Sequence, residues 1–288
     1  MTILASIEEM QAQSDAWRRK SFSIALVPTM GALHAGHMEL VRTARRLADR
    51  VIVSIFVNPT QFAPGEDFEE YPRDLETDCR ILREEGGVDV VFAPHLETMY
   101  PPTSNATKVE VYGLTDTLCG PHRPGHFTGV ATIVARLLNI CKPDFACFGQ
   151  KDIQQFAIVR KMVKDLNMDV HIEGVGIVRE PDGLALSSRN RYLGEEARRQ
   201  STVLSMAVTR AADLIASGVR SASVIEDQMR EIIETSPLAD LQYVEVVDGE
   251  SLARVRELTP GRSAIAATAV YFGETRLIDN TFIPKVPD

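Results

Sequence analysis

The chain has 288 residues, 44% hydrophobic and 25% charged, with a formal net charge of −9. That length suits one large or two modest domains with an ample core, and the composition is ordinary for a globular protein. The acidic balance argues against nucleic acid or an anionic membrane as the main partner, since both are recognised through a basic footprint.

Short apolar runs alternate with helical patterns through the first part of the chain. Strands are expected at 22–27, 51–57, 88–92 and 144–148, and helices at 37–48, 73–85, 128–140 and 152–166. The strand runs are β-branched, aromatic-rich and apolar on both faces, as buried parallel strands are. The alternation predicts a doubly wound, Rossmann-like α/β domain over residues 1–176. Arg179-Glu180-Pro181-Asp182-Gly183 is a turn signature near a change in pattern. Helices at 195–217 and 221–235 and strands at 241–247, 264–272 and 275–278 then predict a smaller α+β domain over 177–288.

No apolar stretch is long enough to cross a bilayer, and Met1-Thr2-Ile3-Leu4-Ala5-Ser6-Ile7-Glu8-Glu9 lacks the regions of a signal peptide. Cys79, Cys119, Cys141 and Cys147 have no metal-finger spacing and read as reduced packing residues of a cytoplasmic protein.

The chemistry gathers in loops that follow predicted parallel strands. Strand 22–27 leads into Pro28-Thr29-Met30-Gly31-Ala32-Leu33-His34-Ala35-Gly36-His37, two histidines at i and i+3 where a helix starts. A helix start carries unpaired N–H groups and a partial positive charge, so it favours phosphate. The same pattern also fits a cap with a packed ring, or half of a metal site whose other ligands are not nearby in sequence. Strand 51–57 leads into Asn58-Pro59-Thr60-Gln61-Phe62, and strand 144–148 into Gly149-Gln150-Lys151-Asp152. In an open parallel sheet the ligand crevice lies outside the carboxyl ends of the strands, so three such loops together predict a catalytic cleft. Lys151 offers phosphates a point charge, and Asp152 either caps the following helix or helps to hold Mg²⁺ through water. Gln154 and Gln155 compete for a place in the cleft, one of them being solvated. Ser187-Ser188-Arg189-Asn190 reads as a turn or as a phosphate clamp at a hinge. In Gly120–Val130, Arg123 and His126 face an anion, or the loop is simply rigid with Thr128 as a cap. Glu69–Asp74 reads as a helix start with Pro72 near N1, Tyr71 packing or lining a pocket.

Six pieces in this order, Val27–His37, Phe56–Phe62, Tyr71-Pro72-Arg73, Gly125–Val130, Gly149–Asp152 with Gln155, and Leu186–Asn190, closely resemble the pantoate–β-alanine ligase family along nearly the whole chain. His34-Ala35-Gly36-His37 is similar to the HIGH motif of a wider nucleotidyltransferase superfamily, and Ser187-Ser188-Arg189 to its second signature, with Arg189 in place of lysine. Gln150 stands where family members often carry Glu.

The resemblance implies ATP-dependent joining of pantoate to β-alanine through a pantoyl adenylate, releasing pyrophosphate and then AMP, with Mg²⁺ accompanying ATP. It implies that Met30, Gly31, Ala32, Leu33, His34, Ala35, Gly36, His37, Gly149, Gln150, Lys151, Asp152, Val178, Leu186, Ser187, Ser188 and Arg189 contact ATP. His37, with His34, Lys151 and Arg189, would serve catalysis. Gln61 and Gln155 would hold pantoate, Gln61 also lying near β-alanine; Asn58, Tyr71, Arg123 and His126 complete the expected substrate set. A homodimer with the second domain as a partial lid is implied too. The rival readings are a nucleotidyltransferase that keeps the nucleotide in its product, a tRNA-charging enzyme, which the acidic chain disfavours, and a non-catalytic ATP sensor.

Overall fold

The computed structural model describes residues 1–63, 65–101 and 107–287. Its elements run β1 (Thr2–Leu4), α1 (Ile7–Arg18), β2 (Ile24–Thr29), α2 (Ala35–Leu47), β3 (Arg50–Ile55), α3 (Leu75–Glu85), β4 (Val90–Phe92), α4 (Leu96–Met99), α5 (His126–Cys141), β5 (Phe145–Gly149), α6 (Ile153–Asp165), β6 (His171–Val175), α7 (Glu195–Gln200), α8 (Val203–Ala216), α9 (Ala222–Ile233), β7 (Ala239–Asp248), β8 (Ala264–Phe272) and β9 (Thr275–Ile283). They make two compact units. One comprises Met1–Val111, Arg123–Gln150 and Ile158–Gly176; the other comprises Tyr112–His122, Lys151–Ala157 and Ile177–Asp288.

The first unit holds a six-stranded parallel sheet in the order β1-β4-β3-β2-β5-β6. The chain steps from β2 through β3 to β4 on one side, then returns to place β5 on the other flank of β2. The switch point therefore lies between β2 and β5, where such sheets bind ligands. Ala25 pairs with Phe145 and Thr29 with Ile55, so β2, β3 and β5 end nearly level. Buried Ala25 and Val27 of β2 and Val51 and Val53 of β3 pack on Met38, Val41 and Ala44 of α2 and on Cys79 and Leu82 of α3. Each large apolar side chain buried in this way stabilises the fold by roughly 1.5–3 kcal/mol before ordering costs.

The second unit holds a three-stranded antiparallel sheet, β7-β8-β9. Leu204, Val208 and Ile215 of α8 and Ile225, Met229 and Ile233 of α9 cover it, against Val244, Val246 and Val270 of the sheet.

The expected fold class is borne out, with local differences. The strands β1 and β6 and the helix α1 carry no expectation above. β6 reads His-Ile-Glu-Gly-Val, with His171 exposed and Glu173 and Gly174 only partly buried, so it lacks the apolar run of the inner strands. α1 buries only Met10 and Ser14, too few for a helical stripe to show. The stretch expected as one helix over 195–217 is two, α7 and α8, with Ser201 closing the first. α3 starts after Asp74, whose carboxylate accepts the Thr77 N–H at 2.9 Å, so Pro72 precedes the helix instead of sitting at N1. α5 starts at His126 behind Gly125 (φ 79°), so Thr128 lies inside its first turn and is not the cap.

Candidate active site

The loop after β2 meets its backbone donors from within. The Gly31 N–H donates to Thr29 Oγ1 (3.2 Å), those of Ala32 and Leu33 to Asp78 Oδ2 and Oδ1 (3.0 and 2.8 Å), that of His34 to His37 Nδ1 (3.3 Å), that of Gly36 to His34 Nδ1 (3.2 Å), and that of His37 to the His34 carbonyl (2.8 Å). The two imidazoles thus cap α2 reciprocally, their centroids 4.1 Å apart. This differs from the expectation of unpaired N–H groups waiting for phosphate, because a helix start satisfies its donors from side chains where side chains can reach. Backbone amides only donate, so Nδ1 of each ring is an acceptor, and the proton of each neutral imidazole sits on Nε2. The amide N–H groups of 31–34, 36 and 37 are therefore already taken within the protein. His34, Gly36 and His37 are half-buried, Ala35 is exposed, and Gly31, Ala32 and Leu33 are buried behind them.

Gln61 is the junction of the loop after β3. Its side chain accepts from Asn58 Nδ2 (3.0 Å) and donates to Met30 Sδ (3.2 Å), joining the loops after β3 and β2. Asn58 is 1% exposed and also bonds the Gly129 carbonyl, Thr60 Oγ1 and the Tyr100 hydroxyl. Its amide positions Gln61 by these contacts. α5 approaches the Pro59–Gln61 turn so closely that a Cβ at Gly129 would stand 2.3 Å from the Thr60 carbonyl oxygen. Arg123 donates to Glu66 at 2.7 and 2.5 Å and to His126 Nε2 at 3.0 Å. Arginine cannot accept, so the His126 proton sits on Nδ1, which donates to the Gln61 carbonyl at 2.7 Å. Burial raises the Glu66 carboxyl, but Arg123 and the Ala63 N–H outweigh it and hold the group below the usual carboxylate range. Tyr71 is buried, edge-on to Phe62 at 5.9 Å. Gly149 ends β5, and Gln150 opens the 3-10 turn Gln150–Asp152.

The remaining candidates lie in the second unit. Lys151 is half-buried, and its carbonyl accepts from Asn280 Nδ2 at 2.9 Å. Asp152 is exposed at the start of α6. Of the two glutamines, Gln154 is buried, bonding Cys119 N, Leu114 O and Thr117 O, which leaves half-buried Gln155 as the candidate for a ligand. Val178 and Leu186 face each other across a hairpin, Leu186 N–H donating to Val178 O at 2.9 Å. Ser187 Oγ accepts the Arg189 N–H at 3.3 Å and so caps the 3-10 turn Ser188–Tyr192. Arg189 and Ser188 are half-buried.

The family model described as Pantoate-beta-alanine ligase matches residues 2–282. The chain belongs to the pantoate–β-alanine ligase family. It is 51% identical to the pantothenate synthetase of Salinibacter ruber, over all of this chain and 99% of that one. It is 50% identical to that of Thermotoga petrophila, over 98% of this chain and all of that one. Among solved structures it resembles pantothenate synthetase from Thermus thermophilus (42% identity, all of both chains, TM-score 0.90). It also resembles the Francisella tularensis ligase complexed with beta-gamma ATP and beta-alanine (34% identity, 98% and 97% of the chains, TM-score 0.78).

In this member of the ligase family, sequence reasoning passed over Asp78, Thr29 and Glu66. Asp78 had a legible signal: in Leu75-Glu76-Thr77-Asp78-Cys79-Arg80-Ile81-Leu82 a carboxylate stands on the apolar stripe of the helix. Among the described residues no group of three or more His, Cys, Asp or Glu could hold a metal ion, and no helix is long and apolar enough to cross a membrane. All four cysteines are buried and unpaired in disulfides, and burial pushes the Cys147 thiol up to about 12.

Proposed function

We propose that this chain makes pantothenate from pantoate and β-alanine at the expense of ATP, through a pantoyl adenylate. The observation that carries the chemistry is the reciprocal histidine cap, which fixes two imidazoles at the helix start that follows β2, a strand of the switch point. A pantoate carboxylate oxygen attacks the α-phosphorus as the bond to pyrophosphate breaks. The carboxylate is already a nucleophile, so this step needs alignment and charge neutralisation, not a general base. His34 and His37 donate to the phosphates, while Lys151 and Arg189 supply positive charge. By family resemblance, Met30–His37, Gly149–Asp152, Val178 and Leu186–Arg189 contact ATP. Gln61 and Gln155 hold pantoate by neutral amides, which suit hydroxyls and a carboxylate, and Asn58, Tyr71, Arg123 and His126 keep the Gln61 loop in place. The amine of β-alanine, as its free base, then attacks the acyl carbon; AMP leaves and the ammonium proton passes to solvent.

Among the described residues no group of three or more acidic, His or Cys side chains could hold a metal ion, which fits Mg²⁺ carried in by the nucleotide, and exposed Asp152 is the residue that would assist in holding it. When bound, the ion neutralises phosphate charge. By family resemblance residues 177–288 act as a partial lid, and excluding water would protect the adenylate from hydrolysis. By the same resemblance the protein is cytoplasmic and its working state a homodimer; sedimentation of the purified protein tests the dimer.

The protein with Mg²⁺, ATP and pantoate should exchange labelled pyrophosphate into ATP without β-alanine. Omitting pantoate should abolish exchange. Release of ADP and phosphate in place of AMP and pyrophosphate would mean attack at the γ-phosphorus and would overturn this reading.

A further inference from the structure

Asp78 projects from the buried stripe of α3 and is 3% exposed. Its two carboxylate oxygens accept the consecutive N–H groups of Ala32 and Leu33 at 3.0 and 2.8 Å. The backbone there is left-handed at two successive residues, Gly31 (φ 85°) and Ala32 (φ 52°). For a residue with a Cβ that conformation costs roughly 1 kcal/mol or more, so it persists only where the surroundings hold it. Contact is tight as well: a Cβ at Gly31 would stand 2.7 Å from Asp78 Oδ2. His34 follows directly, and its φ of −145° returns the chain to the extended region before α2 begins.

We propose that Asp78 is the positioning residue of the histidine pair. Its carboxylate holds the left-handed turn at residues 31–33 and thereby sets where α2 starts and where the imidazole Nε2–H groups point. Asp78 acts through the loop and does not meet the substrate. The amides of Ala32 and Leu33 stay on Asp78 when nucleotide binds, so these residues touch ATP by shape while the side chains of His34 and His37 donate. A buried negative charge behind a phosphate site repels the ligand, so on electrostatics alone removing it would strengthen ATP binding. The geometry predicts the reverse, because loss of the turn misplaces the donors.

This proposal rests on the phosphate-binding role given to the loop above, and two readouts keep the two separable. The first is amide hydrogen exchange on the unmodified protein by NMR. The Ala32 and Leu33 amides should be protected without ligand and remain so with a non-hydrolysable ATP analogue. Free exchange at either, or a loss of protection when the analogue binds, would overturn the proposal whether or not the protein makes pantothenate. The second readout is Asp78→Asn, which keeps the volume but turns an NH₂ group toward one of the two donors. Those amides should exchange at least about tenfold faster. In pyrophosphate exchange the KM for ATP should rise and kcat should fall by about tenfold each, with the fold intact by circular dichroism. Tighter ATP binding by the variant would make Asp78 a competitor of phosphate. A lower melting temperature with KM and kcat unchanged would make it a stability residue alone. Either result rejects the assignment.

Discussion

In the loop after β2, the N–H groups of Gly31, Ala32, Leu33, His34, Gly36 and His37 go to a hydroxyl, one carboxylate, two imidazoles and a carbonyl of the same unit. In the hairpin that carries Leu186–Arg189, charged side chains do the holding. Arg179 reaches Asp279 at 2.7 and 3.0 Å, and Arg198 bridges Glu180 at 2.6 Å and Asp182 at 2.7 Å. Asn190 Nδ2 adds a bond to Glu180 Oε1 at 2.9 Å. Backbone-directed bonds from short side chains fix donors within a narrow range, as a site for transition-state charge demands. The Arg198 pairs, between long, partly exposed side chains, tolerate displacement and are screened by salt. The first region is built for position, the second for a segment that can be re-made.

The sharpest way to break the comparison is at His37. His37→Ala removes an Nε2–H donor and should slow single-turnover adenylation by roughly 10²–10³-fold, the usual loss for one preorganised donor. It also removes the cap on the His34 N–H, worth about 0.5–2 kcal/mol of stability. His37→Asn, whose side-chain oxygen can accept that N–H, should recover stability without recovering rate. A folded His37→Ala protein with a near-normal adenylation rate would take the histidine out of the chemistry.

Asp279 tests the other region. Its side chain is 1% exposed and its partner Arg179 30%, so Asp279→Asn leaves a half-buried guanidinium poorly matched. Stability should fall by about 3 kcal/mol, seen as a lower urea midpoint at unchanged slope. Adenylation by the surviving folded protein should fall much less than in His37→Ala. An equal or larger loss of rate would mean that the hairpin, too, is a precision element.

The smallest effect belongs to Asp182, whose carboxyl is held below its usual range first by the hydrogen bond from Arg198, while Arg198 is raised in turn. A lowered folded pKa adds stability that is complete above the unfolded value, near pH 3.9, and is lost as pH falls through the folded value. Asp182 is 44% exposed, so the contribution is under about 1 kcal/mol. The melting temperature of Asp182→Asn should lie slightly below that of the unmodified protein at pH 7, and the gap should close under about pH 4 and in high salt. A gap that widened on acidification would reverse the assigned sign.

Much of this architecture is legible along the chain. Val51–Val53 and Ala146–Phe148 are apolar on both faces because both faces are covered, and β2 and α2 announce themselves by period, separated by small residues. β1 and β6 flank the sheet; β1 is only three residues long and β6 mixes polar with apolar residues, which hides them. Among the site residues, the histidines, Gln61 and Lys151 stand out by type and place. Asn58 and Gln154 look like ligands in sequence, yet both amides are buried in contacts that hold the loops.

By itself the sequence determined the order of the inner strands and long helices, the strand ends that carry polar loops and the motifs that mark the family, because periodicity and turn chemistry act over a few residues. Only the tertiary structure decided which donors those loops keep for a ligand. The partners of Ala32 and Leu33 lie 46 and 45 residues away, the partner of the Gln61 carbonyl 65, and the partner of Arg179 100. Whether an N–H is open to phosphate depends on those distant groups, since a buried donor takes whatever acceptor packing brings within reach.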